Sequence, residues 1–178
     1  MTFTATQKAA KRAAVVARAS QFIGVHEDAA HTNHGAQVVV WLNRAGASAG
    51  DSWCMAFVYC MFDDCQYTTA NGVTLVSRTA SCQAQADHAK ASGILVSADA
   101  ARTKLQPGWI MLQWHTNPLG YHHTGIVTDY DPKTGIFHTV EGNTNTDGSR
   151  EGYEVAKQAR HIADTVGGRA RYAFIQTS

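Results

Sequence analysis

Three short segments of this chain carry residue types that can make and break an amide bond. The first is Gly50-Asp51-Ser52-Trp53-Cys54-Met55-Ala56-Phe57-Val58. It places a cysteine in the first turn of an apolar helix. Unpaired N–H groups and the helix dipole there favour a thiolate, which is the nucleophilic form of cysteine. The second is Tyr121-His122-His123-Thr124-Gly125-Ile126-Val127, a histidine at the start of a strand with small and β-branched residues after it. An imidazole on a rigid strand can take a proton from a thiol and return it to a leaving group. The third is Val140-Glu141-Gly142-Asn143, at the end of the next strand. Glu141 or Asn143 there can orient the His123 ring and fix its tautomer. Each has a plainer reading by itself: a small core residue, an ordinary strand histidine and a turn acid. His122 and His123 are neighbours, so an extended strand turns them to opposite faces and only one can meet Cys54.

These residues need elements to hold them. Residues 6–22 are Ala-rich with helical spacing, capped by Thr4 or Thr6 and stopped by Gly24. Residues 35–45 read as a second helix closed by Gly46. WCMAFVYCMFDD, capped by Asp51-Ser52, is apolar nearly all round and predicts a central buried helix. Residues 79–92 form a fourth helix that starts near Ser77 or Thr79. The second half changes to strands at 109–114, 124–130, 136–140, 153–161 and 171–175, with a turn at 131–135. Helices followed by an antiparallel meander predict an α+β domain, with the helices packed on a sheet of about five strands. The polar stretch 142–152 reads as a mobile loop.

Composition bounds the answer. A chain of 178 residues is about one domain. With 44% hydrophobic and 16% charged residues it is not a disordered chain. Lys plus Arg number 15 against 14 for Asp plus Glu, which leaves +1 and no overall attraction to nucleic acid. Lys8, Lys11 and Arg12 read as one solvated helix face. No apolar run approaches the ~18 residues of a membrane span. The run from Ala13 to Ala17, ended by Arg18, is too short for a secretory signal. The chain is therefore expected to be made in the cytoplasm without a Sec signal and delivered by another route. None of its four cysteines forms a CxxC pair. Cys60, Cys65 and Cys82 read as buried or incidental thiols, with a Cys65–Cys82 bridge open in an oxidising space.

WCMAFV, HTGIV and EGN, in this order, resemble the CHAP-type peptidoglycan hydrolases (cysteine, histidine-dependent amidohydrolases/peptidases), relatives of papain and of the NlpC-type cell-wall peptidases. The resemblance spans about residues 20–175. It implies a papain-like α+β fold and a single catalytic domain over 1–178, with residues 1–20 as an N-terminal helix on a core of 21–178. It implies Cys54 as nucleophile, His123 as base, and Glu141 and Asn143 as residues that orient or polarise the histidine and the substrate. Gln106-Pro107-Gly108-Trp109 resembles the family's PGD strand opening, but Trp109 stands in place of the acid and takes no role. Glu27 and Asn33 resemble a cleft segment of phage-type members. Trp53, beside the cysteine, and Tyr121 and His122, beside His123, complete the residues expected at the cleft, with Tyr67 and Trp114 as further aromatics. Loops 24–36, 66–78 and 142–152 would set specificity.

The implied activity is hydrolysis of an amide in the stem peptide or cross-link of bacterial peptidoglycan, by an endopeptidase or an N-acetylmuramoyl-L-alanine amidase. It requires no metal or organic cofactor, and Ala47-Ser48-Ala49-Gly50-Asp51 is too poor in oxygen ligands for the calcium some members bind. The expected setting is a phage lytic enzyme or a secreted antibacterial effector, acting in the periplasm or at the wall of the target or host cell. The expected partner is peptidoglycan, with a small immunity protein if the chain is an effector. Neither nucleic acid nor membrane insertion is expected, and the chain should be monomeric. Rival readings are a zinc-dependent wall hydrolase, since His115, His122, His123 and His138 could cluster, a non-catalytic wall-binding module and a Cys-His acyltransferase. His26 and His31 are spaced one residue wider than the HExxH metal motif.

Overall fold

Thr4 and Gln7 cap each other's backbone at the start of the first helix. Gln7 N–H donates to Thr4 Oγ1 at 3.2 Å, and Thr4 N–H to Gln7 Oε1 at 2.8 Å. That helix, α1 (Ala5–Ser20), opens the computed structural model, which describes residues 2–146 and 152–178. It ends at Ser20, short of the Gly24 expected to stop it. α2 (Ala36–Ala45) closes on Gly46, whose φ of 82° supplies the left-handed cap. α3 (Cys54–Asp64) is the central helix, with eight of its residues buried. Its expected Asp51-Ser52 cap does not form. Trp53 is the N-cap, no side chain caps it, and Asp51 accepts from Ser48 N–H at 2.9 Å instead.

A two-stranded ribbon, β1 (Thr69–Ala70) and β2 (Val73–Thr74), leads to α4 (Cys82–Ala91), β3 (Leu95–Ser97) and the single turn α5 (Ala98–Ala101). α4 starts later than expected. Thr79 Oγ1 accepts from Ser81 N–H in a local turn, and Ser81 then caps the helix through Ala84 N–H at 3.1 Å. The sheet follows: β4 (Ile110–Thr116), β5 (Leu119–Asp131), β6 (Ile136–Thr144) and β7 (Glu154–His161). After a second ribbon, β8 (Thr165–Val166) and β9 (Arg169–Ala170), the last strand is β10 (Tyr172–Ile175). The main sheet has six strands in the order β3-β10-β4-β5-β6-β7, every pair antiparallel. The strand beyond the five expected is β3, whose three residues are too short to show alternation. The α+β class stands. Gly142 to Thr144, read as loop, belong to β6, while 147–151 of that stretch lie outside the described residues.

Alternation along the strands gives the sheet two buried faces. Ile110, Leu112, Ile126 and Val140 join the core built around α1 to α4. Met111, Val127 and Phe137 face the other way and join Trp109, Tyr172 and Phe174 in a second cluster. Trp41 holds the helical layer together: its ring stacks on Trp53 at 5.6 Å and meets Phe57 edge-on at 5.1 Å. The far end of α3 is held by cations, which suits the negative end of its dipole. Lys11 donates to Cys65 O at 2.7 Å, Arg18 pairs with Asp64 at 2.9 Å, and Arg44 reaches Asp63 and Asp64 at 2.7 Å each. Lys11 is thus part of a helix anchor and not only a solvated face.

Candidate active site

The start of α3 meets β5 and β6 at one point, just beyond the Ile126–Val140 pair where the ladder between these two strands ends. Cys54 is the first residue of α3 and is buried. Its Sγ lies 3.6 Å from Cys82 Sγ, at the start of α4, and 3.9 Å from the His122 carbonyl oxygen. His123 Nε2 is 2.6 Å from Glu141 Oε2, which leaves Nδ1 as the ring nitrogen that serves Cys54. The acid is itself held. Arg160 grips it with two N–H groups, at 3.1 and 2.7 Å, and Thr139 Oγ1 donates to Oε1 at 2.6 Å. Glu141 is fully buried, and the forked guanidinium fixes its plane. Of the two candidates for the third position, Glu141 is therefore the one on the histidine.

Two irregularities in the sheet aim these groups. In β5, Gln113 of β4 pairs with His123 and Trp114 with Tyr121, so His122 is the extra residue of a bulge. In β6, the pairing jumps from Glu141–Ala156 to Thr144–Glu154, which leaves Gly142 and Asn143 opposite Val155 alone. Asn143 adopts a left-handed φ of 54°. Its amide oxygen accepts from Trp53 N–H at 3.2 Å once the amide is oriented to suit its neighbours. Asn143 thus ties β6 to the head of α3 rather than touching His123. His122 is exposed while the His123 side chain is 14% exposed, so the two neighbours do take different environments.

The charges follow from these contacts. The Cys82 thiol is the largest influence holding Cys54 well below the ordinary thiol range. The hydrogen bond and charge of His123 and the Met55 N–H add to it, against the opposing effect of burial. Burial would push His123 down, but the Glu141 charge and hydrogen bond, with the Cys54 sulfur, lift the imidazole to about 10. Burial would likewise raise Glu141, yet His123 and Arg160 bring it to about 2. These directions together favour thiolate, imidazolium and carboxylate over a neutral thiol and imidazole. Cys60 is pushed by burial up to about 12, and burial also raises Cys65, so neither is an activated thiol.

The remaining expected residues have mixed placements. Glu27 and Trp53 lie beneath the site: Glu27 is 2% exposed, with Oε1 accepting from Trp53 Nε1 at 2.7 Å and Oε2 from Asn33 N–H at 2.8 Å. They brace the head of α3. Asn33 is half-buried, with a φ of 59°, and donates to the Gly50 carbonyl at 3.2 Å. Tyr121 is half-buried edge-on against Trp114 at 5.1 Å, and Tyr67 is a core residue bonded to the Thr177 carbonyl. All four cysteines are free, and Cys82 faces Cys54, not Cys65. His138 is taken by Asp129 at 2.7 Å, and among the described residues no three His, Cys, Asp or Glu side chains converge as metal ligands. Sequence reasoning missed Cys82, Thr139 and Arg160. Each reaches the site from outside the three motifs or between them. Of these, only Thr139, two residues before Glu141 on one strand, had a readable spacing. No family model, curated protein or solved structure matches the chain.

Proposed function

We propose that this chain is a cysteine-dependent peptidoglycan hydrolase of papain-like architecture, cutting an amide in the stem peptide or cross-link. The observation that carries the reading is the Cys54–His123–Glu141 line, set at the uncapped head of a buried helix. An activated thiol beside an imidazolium is chemistry a wall-binding module has no use for. The choice of substrate rests on the resemblance of WCMAFV, HTGIV and EGN to wall hydrolases, in either a phage lytic enzyme or an antibacterial effector.

The mechanism follows from the geometry. The Cys54 thiolate attacks the amide carbonyl carbon and forms the C–S bond. The oxygen that gains the negative charge meets the free N–H groups of the first turn of α3. His123 delivers its proton to the amide nitrogen, the C–N bond breaks, and the amine leaves with a thioester on Cys54. Water then attacks the thioester, with the now neutral His123 taking its proton, and the carboxylate leaves the restored thiolate. Glu141 keeps the ring oriented and the imidazolium stable throughout.

The test is digestion of purified peptidoglycan by the wild type and by Cys54→Ala, with products weighed by mass spectrometry. New muropeptides from the wild type alone are expected, and their masses name the bond. Equal release by both proteins would take Cys54 out of the reaction. No release by either would remove peptidoglycan as the substrate.

A further inference from the structure

We propose that Cys82 is a positioning thiol of this site: its S–H donates to the Cys54 sulfur and holds that sulfur as the thiolate in the resting state. The proposal rests on the nucleophilic reading of Cys54, not on the identity of the amide it cuts. Cys54 and Cys82 are 2% and 5% exposed, so water gives their sulfurs little solvation. A buried anion needs donors from the protein. Around Cys54 these are the Met55 N–H, His123 and Cys82, whereas the His122 carbonyl at 3.9 Å presents only an acceptor. The direction of the sulfur–sulfur bond follows from the surroundings. His123 is placed to take the Cys54 proton, and among the described residues no equivalent base stands beside Cys82, whose own thiol is raised well above the ordinary range by Cys54 and by burial. Cys82 therefore keeps its proton and points it at the anion 3.6 Å away.

The fold holds it there. Cys82 is the first residue of α4, behind a Ser81 cap that fixes the first turn. The next residue, Gln83, accepts from Tyr121 N–H at 3.0 Å and so joins that turn to β5, two residues before His123. The other hydrogen-bonding group at the Cys82 sulfur is its own backbone N–H, a donor, which leaves the S–H for Cys54.

The experiment reads Cys54 directly. The rate at which iodoacetamide alkylates Cys54 is followed against pH by peptide mass spectrometry, under reductant, in the wild type, Cys82→Ala and Cys82→Ser. Removing the donor should slow alkylation at about pH 6 by tenfold or more and move the midpoint to higher pH. Serine keeps an O–H donor of similar size and should recover most of the wild-type profile. Thermal unfolding of each variant identifies any that fails to fold. Should Cys82→Ala keep the wild-type profile, or Cys82→Ser shift as far as alanine, Cys82 is only packing and the proposal falls. A shifted profile in a protein that releases no muropeptides would overturn the substrate while leaving the thiol pair intact.

Discussion

Glu141 is the residue on which the site turns. It holds His123 at 2.6 Å and in turn receives two bonds from Arg160 and one from Thr139. Glu141→Gln keeps the shape and removes the charge. The imidazole then loses the main interaction that raises it, and the amide can present an N–H to a nitrogen that needs an acceptor. Turnover is expected to fall by about 100-fold or more while substrate affinity changes little, since the lost interaction serves the reacting state. Muropeptide release measured across substrate concentrations separates the two. Wild-type turnover in this variant would remove Glu141 from the orienting role. His123→Ala, by contrast, should abolish release, because among the described residues no other base reaches the thiol.

Two bulges and one glycine decide how the strands meet the helix. A Cβ on Gly142 would stand 2.7 Å from Trp53 Cζ3 and 2.9 Å from Phe57 Cβ, closer than any real contact. Backbone and aromatic ring touch there, and that contact sets the distance between α3 and β6. Gly142→Ala should cost about 1–3 kcal/mol of stability by overpacking and displace Glu141 and Asn143 on either side. Denaturant unfolding with parallel activity assays checks this, and an alanine variant with both properties intact would show that the interface yields. Much of this layer was readable. Four helices and five strands announced themselves by apolar period, and Cys54 opens the helix expected of it. The strands run longer than their period shows: β5 starts five residues before the expected 124–130 and β6 ends four after the expected 136–140, so His123 and Glu141 lie within strands. Bulges escape that method because it assumes one residue per step, and His122 and Asn143 sit where the step fails. The helix cap misled for a related reason: Asp51-Ser52 has cap chemistry, but Asp51 spends it on Ser48. Arg160 and Cys82 were illegible because their partners lie 19 and 28 residues away, and no local pattern records such a pairing.

At the scale of the whole molecule, the polar line between the sheet and α3 couples the proposed chemistry to stability. Glu141 and Arg160 are buried and half-buried partners, so loss of either charge leaves the other exposed to a poor environment. Glu141 sits at about 2 when folded, below its ordinary value. Its contribution is therefore complete above the usual carboxylate range and is lost as pH falls toward 2. His123 sits at about 10, above its ordinary value, so its contribution is complete below the usual imidazole range and is lost as pH rises toward 10. The two windows overlap in weakly acidic solution, where the line should support the fold most. Glu141→Gln removes the carboxylate's own contribution and most of what raises His123. Its melting temperature should fall furthest below wild type at about pH 5–6, approach it as pH falls toward 2, and stay below it in alkaline solution, where Arg160 still pairs with the wild-type carboxylate. Thermal unfolding of the two proteins across the pH range measures the difference. Parallel curves would mean that the stability of this fold does not pass through its candidate active site.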